Sequence, residues 1–363
     1  MNTQLILNNL NELLIARNWK LEERKTKYNI FVPPVDLNFE KSYKLFVYNQ
    51  ITYADFEKEI IKDLDIISQI YNEDIEELNS IVIEDKQILT LHIEKDDIVN
   101  GRPSIPFFNK LMNNSKDLLQ VAANFTVKQT PHYFDDKTEE AERYLNYCNF
   151  FKNDVGSLIT KIQLPNKEEI KETNLFSKPI EGSQINKKLL DVTDFINRDI
   201  IALNNFEPSD DFLLTNQDFV SVNVAEKLKK LYTDAEYSNI DISLKGITIN
   251  EVSKAEGLNK EKVGNLTKFS RIVKEKMKDI STNIVYGKIV ELKSKDVDSD
   301  KNTIIVVGKI KNVQSTITVE LSSEQIKQAS ETFKNNKPVE INAILEKEKT
   351  QYKVKDLIDL KLY

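Results

Sequence analysis

Ile284-Val285-Tyr286-Gly287-Lys288-Ile289-Val290-Glu291-Leu292 is a run of strand length, rich in β-branched and aromatic residues. Two similar runs follow, Thr303 to Lys309 and Ser315 to Leu321. Ser322-Ser323-Glu324-Gln325-Ile326 then opens a helix, with a serine cap and an acid in the first turn, and Asn335-Asn336-Lys337-Pro338 closes it. Val339 to Glu346 and Tyr352 to Leu362 read as two more strands, separated by a charged turn of Lys347, Glu348 and Lys349. The predicted order is β-β-β-α-β-β.

That order resembles the OB-fold, a small barrel that binds oligonucleotides or other partners on one face. The resemblance is one of layout and covers under a quarter of the chain. It implies a binding surface but no residue roles, because the fold hosts many functions. Upstream, Gly156-Ser157-Leu158-Ile159-Thr160-Lys161-Ile162 with Pro165 beyond it, set before a helical unit and a terminal barrel, resembles the layout of uncharacterised bacterial proteins. Richness in Lys, Asn and Ile suggests an AT-rich bacterial or phage genome. By analogy it suggests an accessory subunit of a bacterial genome-defence complex.

With 363 residues the chain is expected to form two or three domains. A 40% hydrophobic and 30% charged composition suits a globular protein with a sizeable core, needing neither cofactor nor staple. The single cysteine, Cys148, precludes an intramolecular disulfide and fits a reducing cytoplasm. Neither a signal peptide nor an apolar run near the ~20 residues of a membrane span is visible. A cytoplasmic protein without a membrane partner is the expectation.

The overall class is expected to be α+β and multidomain. Residues 1–165 mix helices (one with Leu5, Ile6, Leu10, Leu13 and Leu14 at helical spacing that ends at Arg17-Asn18, then from 53, 75–80, 105–125, 138–150) with strands (19–22, 28–32, 45–48, 81–83, 88–93, 156–162) without βαβ regularity. Residues 166–184, polar and containing Pro179 and Gly182, read as a linker. Residues 185–280 read as a mostly helical unit, with one strand at 240–249 and a basic helix at its end, and residues 281–363 as the OB-like domain. Charge is uneven: residues 51–100 hold fourteen acids and four bases, a net of −10 against −7 for the whole chain. The basic helix carries Lys260, Lys262, Lys268, Arg271, Lys274, Lys276 and Lys278.

Catalytic patterns are sparse. None of the eight glycines falls in a phosphate-binding loop. Only two histidines occur, His92 in a strand opposite the Leu91 side and His132 in a loop, too few for a histidine zinc site. Cys148 suits a small buried filler better than a nucleophile, and no Gly-x-Ser-x-Gly elbow is present. Glu169-Ile170-Lys171 after Asp154, and Glu291-Leu292-Lys293 after Asp279, match the letter of a metal-dependent nuclease pattern but not its strand context.

The leading expectation is therefore a non-catalytic binding or scaffold protein. Its basic helix and barrel would contact nucleic acid or a partner subunit through Lys268, Arg271, Lys274, Lys278, Lys288 and Lys353, with Tyr352 as a stacking residue. No metal or cofactor is called for, and a homo-oligomer is compatible. The alternatives are a metal-dependent nuclease and a pure adaptor or oligomerisation subunit. Apolar side chains on the barrel face favour a protein partner, whereas exposed lysines beside Tyr352 favour phosphates and bases.

Overall fold

The computed structural model describes residues 2–40, 42–52, 54–95, 102–128, 138–154, 158–171, 179–203, 206–276, 281–293, 302–310, 313–348 and 351–362. It is an α+β structure whose hydrophobic side chains gather into three clusters. The first cluster is N-terminal. Helix α1 (Thr3–Ala16) is capped by Asn2, whose side chain accepts the Leu5 N–H, and buries Leu10, Leu13 and Leu14. Strands β1 (Lys20–Arg24), β2 (Tyr28–Val32) and β3 (Leu45–Tyr48) form an antiparallel sheet in that order. Helices α2 (Phe56–Tyr71) and α3 (Ile75–Val82) complete the unit. The strand expected at 81–83 is instead the end of α3 and its cap. Ile81 and Val82 stand three and four positions after Leu78, so a helix buries all three on one side.

The second cluster surrounds a five-stranded antiparallel sheet. It contains β4 (Lys86–Glu94), helices α4 (Ile105–Lys128) and α5 (Glu139–Tyr147), and strands β5 (Asn149–Asp154), β6 (Leu158–Pro165), β7 (Glu169–Lys171) and β8 (Ile180–Glu181). Helix α6 (Gly182–Ile196) continues into a π-helical turn at Asn197–Ile201. Helices α7 (Asp210–Thr215) and α8 (Val222–Asp234), strands β9 (Asn239–Lys245) and β10 (Asn250–Ala255), and helix α9 (Lys260–Lys276) follow. The sheet order is β10-β9-β4-β6-β5, with β7 and β8 as a separate pair. Leu89, Leu91 and Ile93 of β4 pack with residues of the helices, including Leu118, Leu189, Leu228 and Phe269.

This sheet overturns the division drawn from sequence at residues 166–184. Strand β4 pairs with β6 on one side and with β9 on the other, so segments from both sides of the expected linker share one sheet and one core. The linker's ends are also tied down. The Gly182 N–H donates to Glu168 O at 3.0 Å and the Ser183 N–H to Asn166 O at 2.8 Å. Asn186 Nδ2 donates to Pro165 O at 2.7 Å. Two smaller corrections arise here. The helix expected to reach Phe150 stops at Tyr147, and residues 149–154 are a strand. The strand expected at 240–249 is a hairpin of β9 and β10, closed by the Gly246 N–H on Ile249 O at 2.8 Å.

The third cluster fills a curled, mixed sheet whose strand order is compatible with an OB-like barrel. Strands β11 (Ser281–Lys293), β12 (Asn302–Ile310) and β13 (Val313–Leu321) precede α10 (Ser323–Lys334), and β14 (Pro338–Glu348) and β15 (Gln351–Leu362) follow it. The barrel is closed in the order β11-β12-β13-β15-β14, with β14 returning to β11. Its narrowest seam is the parallel contact of β13 with β15, at Ile317 with Tyr352 and Thr318 with Lys353. Ser322 and Gln325 form the capping box that starts α10. Gly287 and Gly308 lie opposite one another across β11 and β12. A Cβ on Gly287 would meet Val307 O at 2.5 Å, and one on Gly308 would meet Val285 Cγ1 at 2.6 Å, so the strands approach too closely there for a side chain.

Candidate binding surfaces

The residues expected to contact nucleic acid divide between two clusters. On α9, Val263, Leu266, Phe269 and Val273 enter the middle core. The opposite stripe of the helix leaves Lys260, Thr267, Lys268, Arg271 and Glu275 exposed. Lys268 and Arg271 thus face solvent. Lys274 is turned toward α8, where its Nζ donates to Glu226 at 2.6 Å. Lys278 lies outside the described residues. Lys288, Tyr352 and Lys353 belong to the barrel instead. Lys288 is exposed on β11, level with Val307 of β12. Tyr352 is half-buried and packs against the barrel core, which takes up part of the surface a stacking residue would offer. Lys353 is exposed but paired with Glu320 at 3.1 Å.

The alternation of β12 and β13 builds the outer face beside these residues. Ile304, Val306, Ile317 and Val319 point into the barrel core. Thr303, Ile305, Val307, Thr316 and Thr318 therefore lie outside, each partly exposed. Ile305 is opposite Thr318 and Val307 opposite Thr316, so the centre of the face is β-branched and uncharged. Val290 of β11 is 51% exposed nearby in sequence to Lys288. Charges stand around this centre, and the Lys293–Glu291 pair at 3.3 Å and the Lys353–Glu320 pair neutralise two of the lysines. Counting charge along the sequence does not detect this face. The alternating Thr303, Ile305 and Val307 were its available signal.

The other patterns are placed as follows. Glu291 and Lys293 pair with each other on β11, and Asp279 lies outside the described residues. Glu169 and Lys171 sit on β7, which pairs with β8 rather than with the strand of Asp154. Among the described residues no three His, Cys, Asp or Glu side chains are grouped so as to hold a metal ion. Cys148 is the cap residue ending α5, where its thiol donates to Tyr144 O at 3.3 Å, and burial pushes its pKa up to about 12. A thiol in that state is a poor nucleophile. His92 stands on the sheet face opposite Leu91, in register with Asp241 and Ile159, and His132 lies outside the described residues. No described helix is long and apolar enough to cross a membrane.

Comparison with protein-family models, with curated proteins and with solved structures gives no match.

Proposed function

We propose that the chain is a non-catalytic binding protein, a scaffold or accessory subunit whose C-terminal barrel docks a protein partner on the outer face of β12 and β13. The observation that carries this reading is the make-up of that face. Its centre is Thr303, Ile305, Val307, Thr316 and Thr318, and two lysines beside it are neutralised by Glu291 and Glu320. Protein interfaces have this arrangement, with charge depleted at the centre and retained at the rim. A phosphate-binding face would instead leave its cations free to meet the backbone. In a bacterial cell the partner would be another subunit of the complex in which the chain serves, with genome defence as the analogy that composition suggests.

Co-purification from nuclease-treated and untreated lysate tests the reading. A protein held at fixed stoichiometry in both samples, and lost from a chain carrying Ile305→Glu with Val307→Glu, is the expected result. Retention of the same protein by that variant would remove the face from the proposal. A second reading, nucleic acid at the same end of the chain, rests on Lys268, Arg271 and Lys288, which are exposed. It expects material that is lost on nuclease treatment, released by rising salt, and weakened by Lys268→Ala with Arg271→Ala.

A further inference from the structure

The strand register sets out the outer face of β11, β12, β13 and β15 in level rows. Glu291, Ile305, Thr318 and Lys353 stand side by side in one row, and Lys293, Thr303 and Glu320 in the next. Each row has one acid and one base at opposite ends, and their order is reversed between the rows. The acid is on the β11 side in the first and the base is on that side in the second. All four charged side chains are exposed. One row further on, Val307 is level with Thr316.

We propose that the occupant of this face is a second copy of the chain, an inference that rests on reading the face as a protein-docking surface. The copy is turned by half a turn about an axis along the strands, midway between β12 and β13. That rotation exchanges the two sides of the face and keeps each row level. Ile305 then meets the second copy's Thr318, and Val307 its Thr316, so β-branched side chains close the centre. Glu291 meets the second copy's Lys353. Lys293 comes within one strand spacing, about 4.8 Å, of its Glu320.

The charge pattern decides between occupants. An acidic or a basic partner would satisfy half of these charges, whereas a copy satisfies all four. Each charge already has an opposite neighbour within the chain, Lys293 with Glu291 and Lys353 with Glu320, and exposed pairs of this kind exchange partners at little cost. The four sum to zero, so a chain of net charge −7 meets its copy here without repulsion. Lys288, level with Val307, falls on opposite flanks in the two copies and does not meet its counterpart. Contact is confined to the middle strands of a curled sheet, short of the roughly 20–30 residues a side of a stable interface. The association is therefore weak, with a dissociation constant of roughly 10–100 µM.

Sedimentation velocity of the full chain across a concentration and salt series tests this. A monomer–dimer equilibrium that weakens as salt rises is expected. Glu291→Lys alone and Lys353→Glu alone each set like charges against each other in the dimer and should weaken it about tenfold or more. An equimolar mixture of the two should regain association near the wild-type strength, because each variant supplies the charge its partner has lost. Both positions are exposed, and recovery in the mixture itself shows that the variants are folded. Ile305→Glu with Val307→Glu should abolish the dimer. The inference is overturned if the wild-type chain stays monomeric up to about 1 mM, or if the mixture associates no better than its components. A monomeric chain that captures a different protein, lost on changing Ile305 and Val307, overturns only the second copy as occupant and leaves the docking face standing. A dimer that survives those changes, with no captured protein lost, removes the face itself.

Discussion

The barrel and the middle sheet are both antiparallel at nearly every contact, yet they are assembled in opposite ways. In the barrel, residues 281–362 supply every strand, and Val285, Ile304, Ile317 and Ile341 close on a core of their own. In the middle sheet, β4 takes its neighbours from distant segments: Leu91 pairs with Thr160 on one side and with Ile242 on the other. A chain built like the first region can present a docking face without involving the rest. One built like the second is stabilised by side chains that tie remote segments together. The proposed docking face accordingly lies on the self-contained barrel.

The largest expected effect strikes those ties. Glu77 of α3 is buried between Lys161 of β6 and Lys245 of β9, and Lys245 also meets Glu73, which holds Arg17 at 2.8 Å. Glu77→Ala leaves Lys161 buried without this carboxylate and should cost about 3–5 kcal/mol. Denaturant unfolding followed by Trp19 emission checks this, while hydrogen exchange of barrel peptides should not change. Gly287→Val is the converse. Its side chain has no space beside Val307, so the barrel should lose about 3 kcal/mol by hydrogen exchange with the Trp19 transition unmoved. Asn186→Ala comes next. Asn186 accepts from Tyr144 Oη at 2.5 Å and donates to Gln87 Oε1 at 2.8 Å and to Pro165 O. Stranding these buried groups should cost about 2 kcal/mol, again without effect on the barrel.

A smaller effect depends on pH. Asp63 of α2 is 7% exposed, and burial pushes its pKa up to about 7, against a partial opposing pull from a hydrogen bond to the Tyr48 backbone. Because the folded state holds the proton more tightly than the unfolded one, the associated stability is complete below about pH 4. It is lost as pH rises through about 7. Asp63→Asn imitates the protonated acid. It should leave stability unchanged at pH 4 and raise it by about 1–2 kcal/mol at pH 8, measured by thermal unfolding. The smallest effect belongs to the exposed Lys353–Glu320 pair: Lys353→Ala should change stability by less than about 0.5 kcal/mol.

The same contrast governs what was legible in the sequence. The five barrel strands and α10 follow each other directly, so period and capping residues located each one and their order gave the closed topology. The pairing of β4 with β9 leaves no local mark, and a polar stretch at 166–184 resembles a linker although Asn166, Glu168 and Gly182 anchor it through backbone hydrogen bonds. At 81–83 β-branched composition suggested a strand, but helical phase with Leu78 prevailed. On the surface, sequence identifies the charged residues but not their partners. Lys274 and Lys353 are cationic in any reading, and only tertiary pairing with Glu226 and Glu320 shows their charge to be engaged. Glu291 and Lys353 lie apart in sequence. Their shared row exists only once β11, β12, β13 and β15 are in register.

Hydrogen exchange of the intact chain, with and without the protein captured by co-purification, tests the barrel as docking module most directly. The expected result is slowed exchange in peptides spanning 302–321 on adding the partner. Peptides from 86–94 and 239–255 should be unchanged. Slowed exchange in α9 or the middle sheet, with 302–321 unaffected, would contradict the assignment.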